Sequence, residues 1–221
     1  AFPQFSLNVN KTIQTGEGGL CLTNDPDLAY RLQLIRNHGE AVVGPAGYQK
    51  ITNILGFNYR LTELQAAIGL TQLKQLNDLT KDRLKLVDHL RSSLNQFPQI
   101  QVYNPPEDQV ATYYQFKFLI PELEKNEGDQ FRKAVNSEGC YFFSGYKPLY
   151  TQPVYQKKLL FKSGYPWSAE ENKCIATNYD IGSCPTAEYL TDKTCTNEHI
   201  RPPNTVQDIE DIVKIFEKVL G

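Results

Sequence analysis

Phe5-Ser6-Leu7-Asn8-Val9-Asn10-Lys11-Thr12-Ile13-Gln14-Thr15-Gly16-Glu17-Gly18-Gly19 is the stretch from which the rest of the chain can be read. From its residues alone it is a strand running into a lysine in a polar turn, then a glycine cluster leading to a second strand. A lysine at a strand end can serve as a Schiff-base amine when burial or a nearby cation lowers its pKa. The hydroxyl of Ser6, five residues earlier, suits an anion. The same spacing also describes a solvated lysine beside a tight turn. Gly16-x-Gly18-Gly19 fits neither the Walker A nor the dinucleotide template, so no phosphate loop follows from it.

Outward from this stretch the texture is α/β. Ala1–Leu7 and Gly19–Thr23 have strand length and apolar content. Asp25 before Pro26 is a helix start, with a capping carboxylate and proline at the first helical position. Leu28, Leu32 and Ile35 recur at helical spacing, and Gly39 is placed to end that helix. Residues 40–57, with Gly44, Pro45, Gly47 and Gly56, read as a surface loop long enough to carry function. Thr62-x-x-Gln65 has the capping-box form and opens a helix expected to run to about residue 95. After Pro98 strands are expected at Ile100–Tyr103, Ala111–Ile120 and Tyr141–Phe143, with a helix over 128–137. Residues 147–201, rich in Pro, Tyr and Asn, resist assignment. Thr205-x-x-Asp208 caps a last amphipathic helix whose apolar face carries Ile209, Ile212, Val213 and Phe216.

The composition is that of a soluble globular protein: 221 residues, 40% hydrophobic and 22% charged, which excludes a mostly disordered chain. Twenty-three basic against 25 acidic side chains leave a net charge of -2, so no global field draws in nucleic acid or an anionic membrane. No apolar run is long enough to span a bilayer, and the first residues lack the pattern of a signal peptide. The chain has no Met and opens on Ala1-Phe2-Pro3, which leads to the expectation that an N-terminal part precedes it. Five scattered cysteines with no Cys-x-x-Cys pair point to reduced thiols in a cytoplasmic setting rather than a disulfide scaffold. A zinc site would require Cys174, Cys184, Cys195 and His199 to converge across wide separations.

The lysine stretch resembles the lysine motif of the DegT/StrS-type sugar aminotransferases, a group of fold-type I pyridoxal-phosphate (PLP) enzymes. The resemblance continues in order through Asn37-His38-Gly39 and Gly56-Phe57-Asn58-Tyr59-Arg60-Leu61-Thr62-Glu63-Leu64-Gln65-Ala66-Ala67, then Gln72-Leu73 and Arg83. Later landmarks are Tyr146-Lys147-Pro148-Leu149-Tyr150, Gln152-Pro153 and Cys184-Pro185-x-x-Glu188, so it spans nearly the whole chain. It implies that Lys11 forms the internal aldimine with PLP and then moves the proton between substrate carbon and cofactor. It further implies that Ser6 binds the cofactor phosphate. Asn58 would reach the phosphate of the cofactor in a partner subunit, with Arg60 near the phosphate or the donor carboxylate. His38, Tyr146 and Tyr150 are implied as neighbours of the substrate, with Lys147 beside them.

The resulting expectation is a PLP-dependent aminotransferase that moves an amino group from glutamate or glutamine to a keto-sugar or keto-cyclitol. The expected fold is α/β, the C-terminal part of a fold-type I transferase. Residues 1–60 would end the large PLP-binding domain, 61–95 form a long connecting helix, and 96–221 make a small α+β domain. A cytoplasmic homodimer with shared sites is implied, with no metal, nucleic acid or membrane. The rival readings are a non-catalytic relic or dimerisation module of the same family, a PLP-dependent sugar dehydratase, and a zinc module. The dehydratases of the family replace the Schiff-base lysine with His, so retention of Lys11 argues against the second.

Overall fold

Leu7, between the first strand and the lysine turn, is buried, and the hydrogen bonds that pin it define the start of the fold. The computed structural model describes residues 2–39, 54–172 and 178–221. It divides into two units, Ala1–Lys81 and Asp82–Gly221.

In the first unit, β1 (Gln4–Ser6) and β2 (Gly19–Cys21) pair antiparallel with Phe5 opposite Leu20. Both are shorter than the apolar runs suggest, because the chain leaves the ladder at Leu7 to build the turn. The strands are exposed throughout, and Phe5 and Leu20 stand about half open to solvent. Helix α1 (Pro26–Arg36) starts where the sequence predicts: Asp25 accepts hydrogen bonds from the backbone N–H of Asp27 at 2.9 Å and Leu28 at 3.1 Å. It ends at Asn37, and His38 and Gly39 follow with left-handed φ of 62° and 75°. The expected loop over 40–57 falls mostly outside the described residues, but residues 54–60 return alongside the end of α1. Phe57 N–H donates to Ile35 O at 2.7 Å, His38 N–H to Phe57 O at 2.9 Å and Tyr59 N–H to Arg36 O at 2.9 Å. This approach is tight enough to require glycine: a Cβ on Gly56 would lie 1.9 Å from Gly39 N.

Helix α2 (Glu63–Leu94) is a single unbroken helix of 32 residues that begins in the first unit and ends in the second. Its second half buries Leu86, Val87, Leu90 and Leu94 at helical spacing.

The second unit is built on an antiparallel sheet in the order β3 (Gln101–Val102), β4 (Phe116–Leu119), β5 (Thr194–Asn197). Helices α3 (Lys125–Ser137) and α6 (Val206–Leu220) pack with the end of α2 around Phe116 and Phe118. Alternation along β4 sends Lys117 and Leu119 away from this core. Two short helices, α4 (Pro153–Gln156) and α5 (Pro185–Lys193), lie in the segment that resisted assignment.

Three sequence expectations change. The strand expected over Ala111–Ile120 is reduced to β4, because Tyr113 takes a left-handed φ of 47° that interrupts extended backbone. Tyr141–Phe143 makes only a bridge from Phe143 to Thr196, with N–H to O distances of 3.0 and 2.8 Å. Helix α3 begins three residues before its expected start at 128. The polar strand β5 has no sequence signature, yet all four of its residues are buried. Asn197 Nδ2 donates to Tyr141 O at 3.0 Å and Thr194 O accepts from Arg132 at 3.3 Å, so these groups are satisfied in place, while the buried Thr196 Oγ1 has no hydrogen-bond partner.

Among the described residues no helix is long and apolar enough to cross a membrane. Cys21, Cys140, Cys184 and Cys195 are free thiols, and Cys174 lies outside the described residues. Burial pushes the Cys140 thiol up to about 12 and that of Cys195 to about 11, so neither is disposed to ligate metal as thiolate. Among the described residues no cluster of three metal-ligating side chains forms.

Phe216 is fully buried and its ring meets those of Phe97, Phe118, Phe131 and Phe142 at centroid distances of 5.4 to 6.3 Å. Phe216→Ala is expected to cost about 3–5 kcal/mol in denaturant unfolding of the second unit; a loss below about 1 kcal/mol would mean this aromatic cluster is not the core.

Candidate active site

The lysine turn is held by backbone at both ends. Leu7 N–H donates to Gly18 O at 2.9 Å and Thr15 N–H to Leu7 O at 2.9 Å, closing residues 7–18 into a loop whose tip carries the lysine. Within it Asn8 is the hub. Its N–H donates to Ser6 Oγ at 3.3 Å and its carbonyl accepts from Lys11 N–H at 2.9 Å. Its side chain accepts from Asn10 N–H at 3.2 Å and donates through Nδ2 to Glu17 Oε1 at 2.8 Å. Ser6 and Lys11 are thereby fixed through one residue. Lys11 is half-buried and Ser6 is exposed.

Asn58 and Arg60 occupy the returning strip, where Asn37 and Asn58 form a β-bridge. Arg60 Nε donates to Asn58 Oδ1 at 2.9 Å, which leaves the Nδ2 donors as the other hydrogen-bonding end of that amide. Both residues are exposed. The two groups are joined through Gln65, whose Nε2 donates to Glu17 O at 2.9 Å while its Oε1 accepts from Thr62 N–H at 3.1 Å and Thr62 Oγ1 at 3.0 Å. His38 sits on the same strip by its backbone bond to Phe57.

In the second unit, Tyr146 and Tyr150 belong to separate networks. Tyr146 Oη accepts from Gln115 Nε2 at 3.0 Å, its ring lies 5.4 Å from Lys117 Nζ, and its carbonyl accepts from Thr191 Oγ1 at 2.9 Å. Tyr150 donates its phenolic proton to Glu188 Oε1, which also accepts from Gly182 N–H at 2.7 Å. These bonds from Tyr150 and Gly182 hold the Glu188 carboxyl below the ordinary carboxylate range. Burial and then the Glu188 carboxylate push the Tyr150 phenol up to about 12. Glu188 stands in the quoted Cys184-Pro185-x-x-Glu188 landmark. Gln115 and its partner Glu198, at 2.6 Å, carry no sequence signal because 83 residues separate them.

Comparison with known proteins decides the lineage. A family model described as the DegT/DnrJ/EryC1/StrS aminotransferase family matches residues 1–193. The chain belongs to this family. The GDP-perosamine synthase of Escherichia coli O157:H7 is 32% identical over 154 residues, 70% of this chain and 40% of that protein. The L-glutamine:2-deoxy-scyllo-inosose aminotransferase of Streptomyces kanamyceticus is 28% identical over 98% of this chain and 52% of that protein. The chain thus spans about half the length of the relatives it matches, or less.

Solved structures agree on the fold. The 3-amino-5-hydroxybenzoic acid synthase superposes with a TM-score of 0.79 at 17% identity, covering 100% of this chain and 54% of the other. Spr1654 of Streptococcus pneumoniae, solved in a PLP form, gives 0.75 at 20% identity, covering 100% and 53%. The expected fold-type I architecture therefore stands.

The donor set presented by this family member fits a phosphorylated aldehyde cofactor. Ser6 Oγ accepts from Asn8 and retains its own proton to donate, Asn58 has its amide NH2, and Arg60 has a guanidinium fork suited to phosphate. Lys11 supplies the amine on the turn that also carries Ser6.

The Tyr150–Glu188 pair has a consequence at alkaline pH. Because the folded phenol titrates above its ordinary value of about 10, the stability it contributes is complete below that pH and is lost as pH rises towards about 12. In difference titration, Tyr150→Phe is expected to leave the phenolate absorbance near pH 10 unchanged. A fall by one tyrosine there would show that Tyr150 titrates normally.

Proposed function

We propose that this chain carries the lysine-bearing part of a PLP-dependent aminotransferase that transfers an amino group from glutamine or glutamate to the keto carbon of a sugar or cyclitol. The observation that carries this reading is the single built turn that holds Ser6 and Lys11 through Asn8, in a chain of this family. The names of its relatives, a perosamine synthase and a glutamine:inosose aminotransferase, support the donor and acceptor classes.

Ser6 Oγ, Asn58 Nδ2 and the Arg60 guanidinium would hold the phosphate, with Asn58 acting on the cofactor of a partner subunit. Bound PLP supplies a protonated pyridine ring that withdraws electrons from the reacting carbon. Lys11 Nζ first secures the cofactor and, once released as a neutral amine, moves the proton. It takes one from the α-carbon of the amino donor and, in the second half of the reaction, returns one to the carbon that receives nitrogen. His38, Tyr146 and Tyr150 are proposed to face the substrate. With its proton held towards Glu188, Tyr150 stays neutral at ordinary pH and orients rather than ionises.

Residues 1–60 belong, in this proposal, to the large cofactor domain, 61–95 connect, and 96–221 form the small domain. A cytoplasmic homodimer is part of the proposal, and the exposed Leu55, Phe57, Tyr59, Leu64 and Ile68 offer apolar surface to a partner subunit.

Incubation with PLP, borohydride reduction and peptide mapping test this directly. A phosphopyridoxyl label is expected on Lys11, with Lys11→Ala unlabelled and Asn58→Ala or Arg60→Ala weakening PLP binding by about tenfold. Label scattered over surface lysines, or retained in full by Lys11→Ala, would reject the proposal.

A further inference from the structure

In the second unit, Gln156-Lys157-Lys158-Leu159-Leu160-Phe161-Lys162-Ser163 is an unbroken run of exposed residues. The net charge of -2 hides a local excess here. From Gly139 to Ala169 the chain carries Lys147, Lys157, Lys158 and Lys162 and no Asp or Glu, and acidic side chains resume at Glu170 and Glu171. Lysines thus flank three consecutive large apolar residues on both sides.

Two turns build this tip. Helix α4 closes in a Schellman turn, with Leu159 N–H donating to Val154 O at 3.2 Å and Lys158 N–H to Tyr155 O at 3.0 Å. Lys158 takes the left-handed position, at a φ of 48°, that glycine usually fills. The apolar residue after that position usually folds back onto the helix, yet Leu159 is 49% exposed, Leu160 57% and Phe161 58%. Gly164 N–H then donates to Phe161 O at 2.8 Å, and the exposed Tyr165 ring lies 6.1 Å from that of Phe161. The rest of the segment braces the tip. Trp167 Nε1 donates to Tyr179 Oη at 2.9 Å, both rings meet Tyr155, and Gln156 Nε2 donates to Tyr150 O and Tyr179 O at 2.7 Å. Lys158 Nζ lies 5.7 Å from the centre of the Tyr179 ring, a contact that keeps its charge.

A braced apolar tip between ammonium groups matches a fluid anionic surface, where apolar side chains enter the headgroup–acyl boundary and lysines stay among the phosphates. A folded partner would need a pocket shaped to the tip, whereas a bilayer conforms to it. We propose that the turn over residues 157–162 docks this protein on an anionic phospholipid surface, with Leu159, Leu160 and Phe161 inserted and the three lysines against lipid phosphates. The expectation of no membrane partner rests on overall charge, and this local pattern departs from it. The site goes beyond the aminotransferase reading and does not depend on Lys11.

Vesicle co-sedimentation of the 221-residue chain tests the proposal. Vesicles of equal phosphatidylglycerol and phosphatidylcholine are expected to bind it at least about tenfold more tightly than phosphatidylcholine alone. Phe161→Ser should weaken that binding about tenfold, and Lys157→Ala with Lys162→Ala about twentyfold. Lys74→Ala with Lys81→Ala removes the same charge from exposed positions on α2 and should change binding by less than about twofold. All of these side chains are exposed, so the fold is kept. No binding to the mixed vesicles, equal binding to both kinds, full affinity in Phe161→Ser or an equal loss in the two lysine variants would each overturn the proposal. Binding to polyglutamate without binding to vesicles would overturn it too, and would assign the tip to an acidic polypeptide.

Discussion

The carbonyl oxygen of Glu17 accepts hydrogen bonds from Thr15 Oγ1 at 2.8 Å and Gln65 Nε2 at 2.9 Å, and the geometry of the lysine turn depends on it. Both ends of the Gln65 amide are used: one caps the entry to α2 through Thr62, the other ties that entry to Glu17. Next to it, a Cβ on Gly18 would stand 2.8 Å from Thr15 Oγ1 and 3.0 Å from Leu61 Cδ1. The glycine cluster after the lysine thus serves close approach to the start of α2, which is why it matches no phosphate-loop template. The Glu17 side chain holds Asn8 in turn, and Asn8 holds Ser6 and Lys11. Glu17 thus ties Ser6 and Lys11 to the entry of α2.

The two units differ in how they are held. The second has a core of its own, in which Phe216 joins rings from β4, the segment after α2, α3 and the Phe143-bridged strip to the end of α2. The first buries Leu7, Thr15 and Leu34 among its described residues while Phe5, Leu22 and Leu64 remain open. Its order rests on polar ties, in the turn and in the pairing of the α1 end with residues 54–60, more than on apolar burial. Those ties are directional, and they fix the positions of the side-chain donors along the segment.

Elements with a local signal were legible in the sequence. Asp25-Pro26, Thr62-x-x-Gln65 and Thr205-x-x-Asp208 each satisfy orphan backbone donors nearby, and α1, α2 and α6 begin there. Elements that depend on distant partners were not. β5 reads as polar yet is buried, with Asn197 met by Tyr141 and the Thr194 carbonyl by Arg132, both far off in the chain. Likewise, spacing and resemblance name Lys11, Ser6, Asn58 and Arg60, but not the Asn8–Glu17–Gln65 linkage that unites them.

In the proposed function, a prebuilt hydrogen-bond chain from Gln65 through Glu17 to Asn8 makes the lysine turn competent to hold PLP. The dissociation constant for PLP in Gln65→Met is the sharpest test, because methionine preserves helix propensity and size while removing all three side-chain hydrogen bonds. With Ser6, Lys11, Asn58 and Arg60 all intact, affinity should fall by about tenfold. An unchanged dissociation constant would mean that the turn holds PLP without this hydrogen-bond chain.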